Sequence, residues 1–276
     1  MIVDAQVHIW AANTPERPWP ARHQPHRATP ITADELLETM KNTGVDKAIL
    51  VPPSWEGERN DVCIAAAQQY PDKFAVMGRF DPTLPESRTL IPTWKQQPGM
   101  LGMRFTFHRP VLQPLLTEGI VDFLWPQAEK AAVPVMMYLP QTLMPLVDKI
   151  AERHPGLKLI IDHLGMTQGK DAEAFANLDK VLALAKRPNV AVKFSSIPMV
   201  MTEPWPYRGA QPYLQRVYDA FGPKRLFWAS DWSRLPCSYK QSLTMYSDEA
   251  PYSTRLSAAD KEWMLGRGIG EWLNWK

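Results

Sequence analysis

Eight short apolar runs recur along the chain, separated by stretches of helical periodicity, and this alternation limits the available folds more than any other feature. The runs are Ile2–His8, Asp46–Pro52, Phe74–Phe80, Leu101–Phe107, Pro134–Leu139, Leu157–Asp162, Asn189–Ser195 and Arg225–Ser230. A helical pattern begins at Thr32, where Thr32 and Glu35 have the spacing of a capping box. Further patterns cover Asp61–Tyr70, Gly119–Ala132, Met144–Arg153, Ala172–Lys186, Pro212–Phe221 and Ala258–Leu265, while Glu86–Gln97, broken by Pro92, is the weakest. Strands alternating with helices call for a parallel sheet with right-handed crossovers. A count of eight favours a closed (β/α)8 TIM barrel over an open doubly wound sheet. No Gly-x-Gly-x-x-Gly follows the first run, which weakens the dinucleotide-binding alternative. The 276 residues suit one such barrel, and no repeat or linker divides them, so residues 1–276 read as a single α/β domain.

Composition narrows the partners. Apolar residues make up 45% and charged residues 22%, as in a globular protein with a sizeable core. The net charge is +2 with no long basic run, which makes nucleic acid and anionic membrane poor partners. Cys63 and Cys237 belong to no Cys-x-x-Cys pair, so neither a disulfide scaffold nor a thiolate zinc site is expected. The N-terminus lacks a basic segment followed by an apolar one, and no run approaches ~18 apolar residues. The expectation is a cytoplasmic protein acting on a small molecule, with homo-oligomerisation left open.

In a (β/α)8 barrel, chemistry sits at the C-terminal ends of the strands. Many of the 27 prolines lie in segments after strands, as in "ANTPERPWPARHQPHRATP" and "IPMVMTEPWP", which predicts stiff, aromatic pocket walls. Side chains alternate along a strand. In the first strand Val3, Ala5, Val7 and Ile9 share one parity and are expected to face the helices. Gln6 and His8 then point into the barrel mouth. Two histidines at that spacing would make half a zinc site, but the first position holds glutamine. In the fourth strand Leu101, Met103, Phe105 and Phe107 form the apolar parity, and Gly102, Arg104 and Thr106 the inward one. A guanidinium inside a barrel needs an anion. For Arg104 that is either Asp4 or Asp81 in a structural pair, or a carboxylate on a substrate, which arginine grips with two parallel hydrogen bonds. Arg109, five residues on, is a second clamp or a solvated surface group.

His163 ends the sixth strand in "IIDHLG", and Asp231 ends the eighth in "FWASDW". An aspartate in such apolar surroundings either pairs with a cation or has a raised pKa suited to general-base work. His8, His163 and Asp231 thus come from three strand ends, a distribution that points to a site. His23 and His26 border the pocket from the first loop, and His108 follows the inward parity of Arg104. His154 reads as a helix-end surface group and Cys237 as a bystander. Lys193 in "VKFSS" is either a barrel-interior cation in the site or a structural one.

With these residues assembled, the chain resembles the amidohydrolase superfamily, and within it the lactonase-type branch that includes 2-pyrone-4,6-dicarboxylate lactonase. The resemblance spans nearly the whole chain. It rests on "DAQVHIW", "VPPSWEGERN", "GMRFTFHR", "VMMYLPQ", "IIDHLG", "NVAVKFSS" and "FWASDW", in that order. It implies Asp231 as general base, with His163 and His8 contacting the attacked carbonyl or the water. It also implies Arg104, Arg109, Tyr138 and Ser54 as groups that hold substrate oxygens, and no metal. Two departures stand out. Gln6, a poor zinc ligand but a competent donor, replaces the first histidine of the strand-1 pair. The stretch "SIPMVMTEPWPYR" after the seventh strand has no arginine before Arg208, so a second substrate carboxylate loses its expected partner.

The sequence reading is therefore a metal-independent hydrolase that opens a small carboxylated lactone from aromatic or sugar-acid breakdown. Catalysis falls to Asp231, His163, His8 and Gln6, without a cofactor. The alternatives are a decarboxylase of an aromatic or muconate-type acid on the same barrel, and a non-catalytic binding barrel.

Overall fold

The computed structural model describes residues 1–20, 25–247 and 255–276. Eight strands are present: β1 (Val3–Val7), β2 (Lys47–Leu50), β3 (Phe74–Gly78), β4 (Met100–Thr106), β5 (Val135–Tyr138), β6 (Leu159–Ile161), β7 (Val190–Phe194) and β8 (Leu226–Trp228). Their order in the sheet is their order in the chain, and every neighbouring pair is parallel. The ring closes beyond the end of β8. There the Asp231 N–H donates to the Gln6 carbonyl at 3.1 Å, and the Ser230 N–H donates to Asp4 Oδ1 at 2.9 Å. This is the expected (β/α)8 barrel. Among the described residues no helix is long and apolar enough to cross a membrane.

Two apolar layers hold the barrel. The outer one packs strand residues such as Val7, Leu50, Met103, Val135 and Phe194 against the surrounding helices. The inner one fills the lower barrel with Val3, Ala5, Ile49, Met77, Met136, Ile160, Ala191 and Phe227. Ile269 and Leu273 of the helix Gly268–Leu273 plug its base. Gly266 allows this closure, because a Cβ there would lie 2.4 Å from the Met1 carbonyl oxygen.

The simple alternation expected for the first and fourth strands is interrupted. The β1–β2 register shifts between Asp4 and Val7, and the β3–β4 register shifts between Val76 and Met77. Val3 and Ala5 consequently face into the barrel rather than toward the helices. Asp4 reaches instead to the Tyr239 hydroxyl at 2.8 Å, outside the ring. Its Oδ1 also accepts the Gln6 backbone N–H at 3.1 Å, which removes that donor from the ladder and bulges the strand. Above the bulge Gln6 and His8 point inward as expected. Leu101 likewise packs on the inner layer, while Met103, Phe105 and Phe107 join the outer one. Both bulges permit an apolar floor and a polar mouth on strands that a strict alternation would make polar throughout.

The helices depart more from expectation. Thr32 accepts the Glu35 N–H at 3.2 Å, but the Glu35 carboxylate pairs with Arg27, so only half the capping box forms. The stretch expected over Ala172–Lys186 breaks into Asp171–Phe175, Leu178–Leu182 and Ala183–Lys186. The helix Tyr239–Ser247 was not anticipated. Phe227 is fully buried at the centre of the inner layer. Phe227→Ala should destabilise the protein by about 3–5 kcal/mol in urea unfolding, and a loss below about 1 kcal/mol would show that the floor does not depend on it.

Candidate active site

The mouth of the barrel encloses a cavity of about 200 Å3. Asp231, His163, His8, Gln6, Arg104, Arg109, Tyr138 and Ser54 all line it, together with His26, Trp55, Thr106, His108 and Arg234. His23 lies outside the described residues. The loops after β6 and β8 aim their side chains by strained backbone: His163 has φ 55° and Asp231 φ 50°. Such left-handed conformations are costly for residues with a Cβ and persist where surrounding contacts enforce them.

Proton positions follow from the hydrogen bonds. Nδ1 of His8 lies 2.6 Å from the Val51 carbonyl, which can only accept, so Nδ1 carries a proton. Nε2 of His8 then faces Asp231 Oδ1 at 3.1 Å. Two lone pairs would repel at that distance, so the pair shares one further proton. Burial pushes the Asp231 carboxyl up, but the hydrogen bond from His8 and the charges of His163, His8 and Arg234 outweigh it. The carboxyl is held well below its usual range, so of the two readings from sequence the cation pair is the one found. Arg234 Nη1 stands 3.8 Å from Oδ2.

His163 is fixed differently. Lys193 Nζ donates to Gln6 Oε1 at 2.7 Å, which leaves the Gln6 NH2 group facing His163 Nε2 at 3.2 Å. His163 Nε2 is therefore an acceptor, and its Nδ1–H donates to Ser195 Oγ at 2.8 Å. Burial lowers the His163 pKa to about 4, against the opposing pull of Asp231 and Asp162. Gln6 has no exposed surface and both ends of its carboxamide are engaged.

Beneath the cavity lies a buried ion cluster. Arg104 Nε is 3.1 Å from Asp162 Oδ2, and Lys193 Nζ is 2.8 Å from Asp162 Oδ1. The structural partner of Arg104 is thus Asp162, and neither Asp4 nor Asp81. Asp4 points out of the ring, and Asp81 closes a turn onto Thr83. Burial raises the Asp162 pKa, but Lys193 and Arg104 overcome it and keep the carboxyl ionised. The terminal nitrogens of Arg104 have no hydrogen-bond partner among the described residues. Tyr138 donates from its hydroxyl to the Met166 carbonyl at 3.1 Å, and His108 stacks on its ring.

Arg234 is the residue that sequence reasoning overlooked. Its signal was its position three residues after Asp231 in "SDWSR", on the same loop. It brings a guanidinium to the mouth from the loop after β8, where the stretch after β7 has none before Arg208. Met199, Met201 and Trp205 of that β7 loop line a neighbouring cavity of about 580 Å3, which shares Arg234 with the mouth.

A metal does not fit this donor set. Gln6 presents its NH2 group, which has no lone pair to give, and that group occupies the lone pair of His163 Nε2. Among the described residues no three His, Cys, Asp or Glu side chains are placed to hold a metal ion.

A barrel with its polar residues gathered at the strand ends defines the architectural class. The particular family follows from comparison. Residues 3–267 match the model of the amidohydrolase family, and the chain belongs to it. It is 26% identical over 247 residues to an L-fucono-1,5-lactonase of Burkholderia ambifaria, covering 84% of this chain and 81% of that one. The crystal structure of a zinc-bound amidohydrolase from Burkholderia multivorans superposes with a TM-score of 0.83 at 20% identity, covering 99% of each chain. A Pseudomonas putida protein assigned as a 2-pyrone-4,6-dicarboxylic acid hydrolase superposes with a TM-score of 0.78 at 18% identity, covering 99% of this chain and 97% of that one.

The burial of His163 and the partial burial of His108 make stability depend on pH. Burial lowers His108 to about 3 and His163 to about 4. The unfolded chain binds these protons near pH 6.5, so each shift costs stability as pH falls below that value. Asp4 acts oppositely, because burial raises it to about 6 and the folded state holds its proton. Two groups against one leave the unfolded state binding more protons at pH 5. Unfolding free energy should fall by roughly 1 kcal/mol between pH 6 and pH 5, as read by urea titration. Equal or greater stability at pH 5 would contradict these proton positions.

Proposed function

We propose that this protein hydrolyses a small lactone carrying a carboxylate, using Asp231 and His8 as a proton-transfer pair and no metal. The observation that carries the proposal is the His8–Asp231 pair set in a mouth lined by Arg104, Arg109 and Arg234. A compact cavity with three guanidiniums suits an anionic ring, and the lactonase names of the relatives point to the same bond. Water attacks the lactone carbonyl as Asp231 Oδ2 takes its proton. The guanidiniums and the neutral His108 face the oxygen on which charge develops, and a fixed donor there is worth about 3 kcal/mol. Neutralising Asp231 releases the proton that His8 holds toward it. That proton passes to the ring oxygen as the carbon–oxygen bond breaks. Transfer from Asp231 back to His8 restores the starting pair. Gln6 and His163, engaged with each other, position this pair rather than touch the substrate.

A decarboxylase would need a metal to polarise its acid, and the carboxamide of Gln6 speaks against one. A binding barrel would hold the lactone without turning it over, so turnover on a lactone panel separates the two readings.

Asp231→Asn should lower kcat on a carboxylated lactone by at least ~100-fold, because the general-base contribution is lost. Wild-type turnover should survive dialysis against a chelator. Near-normal turnover by the variant, or activity restored only by added metal, would remove the proposed mechanism.

Arg234 tests the charge of the substrate. It is one-third exposed and stands beside Asp231. A hydrogen bond to a charged group is worth about 1.5–3 kcal/mol. Arg234→Met should reduce kcat/KM for a monocarboxylated lactone at least ~30-fold and for an uncharged lactone much less. Equal losses on both would place Arg234 on Asp231 alone and return an uncharged sugar lactone as the substrate.

A further inference from the structure

Lys193 has no exposed surface and lies inside the barrel, below the catalytic pair. Arg104 already supplies Asp162 with a counter-charge, so neutralising Asp162 does not by itself require a second cation. An ammonium has three donors and no acceptor. The Lys193 ammonium is ion-paired with Asp162 Oδ1 at 2.8 Å and donates to Gln6 Oε1 at 2.7 Å and to the weak acceptor Met136 Sδ at 3.0 Å. Lys193 does not line the cavity.

We propose that Lys193 is a positioning residue that, through Gln6, locks His163 as its neutral Nδ1–H tautomer with the Nε2 lone pair occupied. The ammonium selects the oxygen end of the carboxamide, which turns the nitrogen end to His163 at 3.2 Å. A nitrogen that can only donate forces Nε2 to accept. The remaining ring proton must sit on Nδ1, and Ser195 Oγ lies 2.8 Å away to receive it. His163 Nε2 is 3.7 Å from Asp231 Oδ2. A proton on that nitrogen would compete with the incoming water for the carboxylate. The lock keeps Oδ2 available, which rests on the proposed role of Asp231. The tautomer itself does not rest on that role.

The experiment is nitrogen-15 NMR of the histidine side chains in the full-length protein at pH 7. Wild-type His163 should show a protonated Nδ1 and an unprotonated Nε2. A wild-type ring protonated at Nε2 would overturn the proposal at once. In Lys193→Met the carboxamide is free to turn, and His163 should gain an Nε2-protonated population, with kcat down at least ~10-fold and KM within ~3-fold. Gln6→Glu covers the case in which Lys193→Met does not fold. Its two oxygens both accept, so the Lys193 contact stays while His163 must become a donor at Nε2. A His163 that keeps the wild-type signature in Gln6→Glu overturns the lock. Absence of turnover on every lactone, with the tautomer switching as described, would sink the lactonase reading and leave the lock standing.

Discussion

Asp162 is the fixed point of the mouth. It has no exposed surface, yet it receives Arg104 on one oxygen and Lys193 on the other. Taking three charges out of water costs several kcal/mol per ion, and close pairing must offset it. Such a cluster is therefore weak evidence for stability. What it provides is placement. Arg104 has one nitrogen tied down and its guanidinium plane held toward the cavity. Lys193 is held where its ammonium meets the Gln6 oxygen. The orientation of His163 follows from that contact, and the surroundings of Asp231 follow from His163.

The barrel accommodates these charges because its strands are not regular. A strict alternation on β1 would put Asp4, Gln6 and His8 on one face and carry a carboxylate down into the apolar floor. The bulge between Asp4 and Val7 turns Asp4 outward, where Tyr239, Ser230 and the Gln6 N–H satisfy it. The same side chain thus removes itself from the interior, bends the strand, and ties β1 to the segment that carries Asp231. Fold closure and site geometry share one residue.

This explains what the sequence made legible. Eight apolar runs and their spacing predict the barrel, because strand count and alternation with helices leave few topologies. Position at strand ends singles out Gln6, His8, Arg104, His163 and Asp231, the family resemblance adds Arg109, Tyr138 and Ser54, and all eight line one cavity. Period-two parity could not reveal the bulges, since they depend on side-chain to backbone hydrogen bonds across β1 and β8. The partner of Arg104 was missed for a related reason. Asp162 lies 58 residues away, just past the end of β6, and only the ring brings the two together. Arg234 was passed over because a loop arginine reads as solvated until the loop is seen to fold over the mouth. The helix Tyr239–Ser247 has the polar, tyrosine-rich composition of a loop, and the contacts of Tyr239 with Asp4 and Trp228 bind it to the barrel.

The departure at Gln6 takes its meaning from this frame. A histidine at that position would offer a lone pair, whereas glutamine between an ammonium and an imidazole is polarised to donate. The substitution is thus chemically matched to Lys193: with a neutral side chain at 193, the carboxamide would have no fixed direction. With an imidazole at position 6, Lys193 would have to find another acceptor or lose its proton, and burial already lowers its pKa against the pull of Asp162. The two residues make sense only together. His8 and His163 consequently hold unlike roles despite their similar placement at strand ends. Val51 fixes His8 with its outer nitrogen turned to a carboxylate, so it carries the mobile proton. Gln6 fixes His163 with its outer nitrogen filled, so it carries none. In the proposed mechanism, one proton on one side of Asp231 and none on the other is the asymmetry that a general base needs, because it leaves Oδ2 without a competing ring proton when water arrives.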